Sequence, residues 1–105
     1  MTYKVIWSNF AENELDKIFE YYLEKAGLNV ATTIIQDILA EPNRLIDNYE
    51  MFQTEELLLN RDETYRYIVC GNFKIIYSVN IAFKFIKIAD VFDTRQNPIK
   101  IKRTK

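Results

Sequence analysis

Histidine is absent from this 105-residue chain, and cysteine occurs once, at Cys70. Without histidine there is no Ser-His-Asp or Cys-His nucleophile pair and no ordinary imidazole acid–base couple. One cysteine excludes an internal disulfide framework and any Cys/His zinc cluster, so neither a metal nor a cofactor is expected. Only two glycines and two prolines are present, and no Gly-rich loop exists to cradle a nucleotide phosphate. No apolar run approaches the roughly 18 residues of a membrane span, and "MTYKVIWSNF" lacks the basic and apolar regions of a secretion signal. The expected compartment is the cytoplasm.

What is present is a compact-domain composition, 49% hydrophobic with seven Tyr and seven Phe. A single domain over residues 1–105 is expected, ending in a short basic tail at about 99–105. The net charge of −1 conceals a polarity. Residues 1–65 hold 5 Lys/Arg against 13 Asp/Glu, net −8, whereas residues 66–105 hold 9 against 2, net +7. Such a contrast fits a basic surface for nucleic acid or an acidic protein, or two halves that neutralise one another on folding.

The coarse order reads strand, helix, helix, strand, strand, strand. "TYKVIW" has strand composition, and Ser8 is a candidate N-cap. Ala11, Leu15, Ile18, Phe19, Tyr22 and Leu23 then recur at helical spacing up to Gly27. A second helix from about Asn29 is expected to bury Ile34, Ile35, Ile38 and Leu39, with Pro42 kinking or ending it. Residues 47–63 show no clear period, and Leu57–Leu59 fit either a helical turn or an edge strand.

Beyond them, "TYRYIVC", "FKIIYSV" and "AFKFIKIADVF" alternate as strands. The Gly71-Asn72 pair predicts a two-residue hairpin, and a second short turn is expected at Asn80-Ile81. The fold class is therefore α+β: an N-terminal strand, a helical hairpin and a three-stranded antiparallel meander, with the helices on one face.

These turns predict the rows Cys70/Phe73/Ile88, Ile68/Ile75/Ile86 and Arg66/Tyr77/Lys84, the last at the open end of the core face. The opposite face would then carry Tyr65, Tyr67, Val69, Lys74, Ile76, Phe85 and Lys87 as a basic, aromatic surface. Arg66, Lys74, Lys87, Arg95, Tyr65 and Tyr67 are the candidates for binding a target or partner. For RNA cleavage the set would be Arg66, Arg95, Lys74 and Tyr77, with cations on the phosphorane and a tyrosine or lysine moving protons. The same groups serve backbone binding with bases stacked on tyrosine, or contacts to a protein. Arg95 also has a structural option, a salt bridge to Asp90 or Asp93. Cys70 reads as a buried thiol, and "KIKRTK" as solvated charge or a partner contact.

With this order and these residues, the chain resembles the RelE/ParE superfamily of type II toxin–antitoxin toxins. The likeness is carried by "YKVIWSNFAENELDKIFEYY", "EELL", "YRYIVCGNFKIIYSV" and "VFDTRQNP" in sequence. It implies a toxin neutralised by a cognate antitoxin, as a homodimer or in a heterotetramer, the antitoxin's wrapping segment being acidic. It also implies two targets: DNA gyrase in the ParE-like branch, or the ribosome and its mRNA in the RelE-like branch. In the cutting branch Arg66 would match the central hairpin arginine and Arg95 the basic residue of the last strand. That branch's lysine pair falls near Glu55 and Glu56, and Phe52 stands where relatives often have a small residue. Carboxylates cannot stabilise phosphorane charge, and a chain at net −1 is poorly charged for RNA. The expectation is therefore a gyrase-directed toxin, with a ribosome-dependent endoribonuclease and a non-toxic binding module as alternatives.

Overall fold

A computed structural model describes residues 3–46, 56–58, 64–96 and 98–104. The element order is β1 (Lys4–Trp7), α1 (Asn9–Ala26), α2 (Leu28–Ala40), β2 (Arg66–Cys70), β3 (Phe73–Asn80) and β4 (Phe85–Asp93). Short 3-10 segments cover Glu41–Leu45, Glu56–Leu58 and Pro98–Arg103. The sheet order is β1-β4-β3-β2, antiparallel except that β1 joins β4 in parallel.

Local chemistry explains the helical hairpin. Ser8 is extended, and its Oγ accepts the Ala11 N–H at 3.1 Å while donating to the Ala89 carbonyl at 3.3 Å, so one hydroxyl starts α1 and ties it to β4. Gly27, at φ 93°, ends α1 through its N–H to the Tyr22 and Leu23 carbonyls and at once caps α2. Pro42, at the start of the Glu41–Leu45 segment, stops α2 as expected of a ring that cannot donate. Leu23 and Leu39, assigned above to the apolar stripes, are instead 42% and 45% exposed. The buried stripe is narrower than the sequence period suggests, centred on Ala11, Leu15, Ala31 and Ile38.

Ala11, Leu15 and Ile38 pack on Ile68, Phe73, Ile75, Tyr77, Ile86, Ile88 and Val91 from one face of the sheet. Burying each such isoleucine stabilises the fold by about 1.5–3 kcal/mol. The first hairpin has the predicted register, Cys70 opposite Phe73, Ile68 opposite Ile75 and Arg66 opposite Tyr77. The second does not. Phe73 faces Asp93, Ile75 faces Val91 and Tyr77 faces Ile88, because the connection is the four residues Ile81–Lys84 and β4 carries one extra residue, Ala89, between its partners of Ile76 and Tyr77. Lys84 is consequently in the turn and not beside Tyr77, and Tyr77 is fully buried rather than at an open end.

The bulge also swaps the alternation of β4. Val91 turns toward the helices, and Asp90 and Phe92 turn to the other face. There Leu58, Tyr65, Ile76, Ala89, Phe92 and Ile101 form a second, smaller core. The Glu56–Leu58 and Pro98–Arg103 segments thus cover part of the face expected to lie open. Phe52 and Glu55 are outside the described residues, and Glu56 begins the first of these segments.

Candidate functional site

The predicted site residues separate into three places. Tyr65, Tyr67, Lys74 and Lys87 share the face away from the helices. The Lys74 ammonium lies 4.3 Å from the centre of the Tyr67 ring, and that of Lys87 lies 6.0 Å from the Tyr65 ring. Tyr65 itself is 4% exposed. The faces on which a base would stack are thus occupied by ammonium groups, and the strip presents half-buried positive charge held by cation–π contact. Little of the Tyr65 ring is left open for a base to stack on.

Arg66 and Tyr77 belong to the helix-side face. Burial pushes the Tyr77 phenol well above the usual tyrosine range, the nearby Arg66 charge opposing the shift. A phenol so placed stays protonated near neutral pH.

Arg95 stands at the far end of β4. Its guanidinium Nε lies 3.0 Å from Asp93 Oδ1, and its Nη2 reaches Asp93 Oδ2 and the Tyr22 hydroxyl, both at 2.7 Å. The Asp93 carboxylate also accepts the Arg95 backbone N–H at 2.9 Å. These bonds hold the Asp93 carboxyl below the usual carboxylate range against the opposing effect of burial, and raise Arg95. Of the readings open for Arg95, the salt bridge to Asp93 is formed, and the side chain is still 52% exposed. Arg66 lies in the row of Tyr77 and Ile88, whereas Arg95 is two residues past the row of Cys70, Phe73 and Asp93. Those rows are four residue steps apart along β2, about 13 Å.

Two clefts adjoin this end of the molecule. One of about 260 Å³ runs between α1 and β4 and includes Glu14, Lys17, Tyr21, Tyr22, Asp93 and Arg103. The other, about 240 Å³, lies beside the β2–β3 turn and includes Tyr22, Ile34, Ile38, Cys70 and Phe73. Cys70 is half-buried and not the buried thiol expected, and partial burial still pushes the thiol up, with Glu41 and Asp37 adding to the effect.

One cluster escaped the sequence reading. Asp90 is fully buried, and Arg103 clasps it through Nε at 3.2 Å and Nη2 at 3.1 Å while also meeting Glu14 at 3.0 Å. The Thr104 hydroxyl lies 2.9 Å from Asp90 Oδ2, and the guanidinium carbon lies 5.3 Å and 5.7 Å from the Phe92 and Phe10 ring centres. The available signal was a carboxylate inside the apolar run "IADVF", which demands a partner when buried. Part of the C-terminal charge therefore meets the protein's own interior.

A family model described as "ParE toxin of type II toxin-antitoxin system, parDE" matches residues 5–98. Among solved structures, one described as "Chromosomal ParDE TA system from P. aeruginosa" is similar over 87% of this chain and 95% of that chain, with a TM-score of 0.71 at 19% identity, a likeness of fold. No curated protein sequence matches. Among the described residues no helix is long and apolar enough to cross a membrane.

Proposed function

This chain belongs to the ParE toxin family of type II toxin–antitoxin systems, and on that premise we propose that it arrests growth by binding DNA gyrase in the cytoplasm, without covalent chemistry of its own. The cognate antitoxin is its other partner. The observation that carries the reading is the separation of the cations. Arg66 lies about 13 Å along the sheet from the end that bears Arg95. Arg95 is engaged by Asp93 and Tyr22, and Lys74 and Lys87 lie on tyrosine rings on the opposite face. A phosphorane needs several donors converging within hydrogen-bond reach of one phosphate. A protein interface accommodates charges spread over its area, where they steer approach and orientation without converging on one atom.

Purified toxin, freed from antitoxin, distinguishes the targets in two parallel assays. Inhibition of gyrase supercoiling with mRNA intact on programmed ribosomes is the expected result. Cleavage of that mRNA, suppressed by Arg66→Ala and Arg95→Ala, would transfer the assignment to the ribosome.

A further inference from the structure

The tip of the β3–β4 hairpin carries the two most exposed large apolar side chains among the described residues, Phe83 at 79% and Ile81 at 62%. Turn tips ordinarily favour Gly, Asn, Asp, Ser or Pro. This tip is held in shape. Asn80 Oδ1 accepts the Phe83 N–H at 2.9 Å, and the Lys4 N–H donates to the Lys84 carbonyl at 3.1 Å. The Lys84 ammonium lies 5.5 Å from the Tyr3 ring centre.

The backbone adds a second observation. Lys84 is in the left-handed region at φ 55°, the conformation that the β2–β3 hairpin gives to Gly71 at φ 58°. Glycine is the relaxed choice for such a position, so a basic side chain is kept at this tip against backbone strain. Lys4 is exposed and paired with Phe85, and Lys87 is paired with Ile6, which is 46% exposed. No Asp or Glu occurs from Thr64 through Ala89. The acidic helix α1 leads from Ser8 beside Ala89 to Tyr22 beside Arg95, away from the tip.

We infer that the Ile81–Phe83 tip docks this toxin on its protein target, the two side chains entering an apolar pocket whose acidic rim meets Lys4, Lys84 and Lys87. The inference rests on the protein-directed reading above and names the surface that it uses. A rigid aromatic anchor ringed by charge is the usual construction of an energetic centre in a protein interface. The lysines supply attraction during approach, and the apolar pair supplies residence.

The test measures binding of antitoxin-free toxin to purified gyrase for wild type, Phe83→Ser, Ile81→Ser and Lys84→Glu, alongside growth arrest on induction. Urea midpoints and antitoxin binding serve as fold controls, and Ile81→Ser carries the test if Phe83→Ser fails them. Phe83→Ser is expected to weaken gyrase binding by at least about 30-fold and Ile81→Ser by about tenfold. Lys84→Glu is expected to slow association and flatten its salt dependence. If wild type and Phe83→Ser bind gyrase equally, the docking surface is wrong and the gyrase reading stands. If wild type does not bind gyrase, that reading fails, and growth arrest decides the tip. Arrest lost in Phe83→Ser with antitoxin binding intact supports docking on another protein, and arrest retained overturns it. Self-association or RNA binding abolished by Phe83→Ser, with gyrase binding unchanged, would also overturn it.

Discussion

Asp90 and Asp93 lie three residues apart on β4, and each holds an arginine from the chain that follows. The first pair is enclosed, with Asp90 0% exposed and the Arg103 side chain 29%. The second is open, with the Asp93 and Arg95 side chains 19% and 52% exposed. The bulge at Ala89 contributes to the difference by turning Asp90 under the Pro98–Arg103 segment and leaving Asp93 at the strand's end. A buried carboxylate is tolerable only while its partners are present, so the first pair fixes where the C-terminal segment sits. An exposed pair adds little to stability and keeps its guanidinium accessible for recognition. One sequence pattern, an aspartate answered by a later arginine, is thus enclosed at one position and left open to solvent at the other.

The sharpest way to break this comparison is Arg103→Ala. It strands Asp90 in the interior and is expected to cost about 3–5 kcal/mol in urea unfolding, with Ile101 exposed as the C-terminal segment lifts. The double change Arg103→Met with Asp90→Leu should recover much of that loss, because the stranded Asp90 carboxylate is gone and Glu14, which also loses Arg103, keeps its pair with Lys17 at 3.1 Å. A loss below about 1 kcal/mol for Arg103→Ala would mean that the clasp does not hold the segment. Thr104→Val removes a hydroxyl whose one proton is shared between the Ile101 carbonyl at 2.7 Å and Asp90 Oδ2 at 2.9 Å, and a loss of about 1 kcal/mol is expected.

How much of this was readable beforehand follows from the range of each interaction. The β2–β3 register was legible because a Gly-Asn turn and strict alternation fix it over a few residues. The β3–β4 register was not, since Lys84 takes a left-handed position without glycine to announce it, and a bulge at an alanine interrupts the alternation silently. Helix order and the Gly27 junction were local and legible; the exposure of Leu23 and Leu39 depends on how much sheet there is to cover them. At the candidate site, the types of residue were visible but their grouping was not. Lys74 with Tyr67 and Lys87 with Tyr65 share a face as expected, whereas the separation of Arg66 from Arg95 follows from where each strand ends. The Asp90–Arg103 clasp joins residues from a strand and a tail with no periodic relation, so the sequence marks Asp90 as needing a partner without saying which residue supplies it.

The open pair makes a gentler prediction. Arg95→Ala should move the urea midpoint less than Thr104→Val does, because solvent already screens the pair. Any loss of antitoxin binding in that variant, or of the gyrase inhibition proposed above, then reports recognition, since the fold is kept. If instead the midpoint falls as far as in Arg103→Ala, the distinction drawn between the two pairs collapses.

The smallest expected effect is in the acid limb of the stability curve. Hydrogen bonding from Arg95 lowers the Asp93 carboxyl in the folded state, so the folded protein binds that proton less readily than the unfolded chain does. By linkage the stabilisation is complete above the unfolded carboxylate value of about 4 and disappears as pH falls through the lower folded value. Wild type and Asp93→Asn should therefore differ most near neutral pH and converge below about pH 4, as read from urea midpoints across that range. A difference that persists unchanged into strong acid would show that Asp93 acts through its shape and neutral hydrogen bonds, and that the open pair contributes no charge-dependent stability at all.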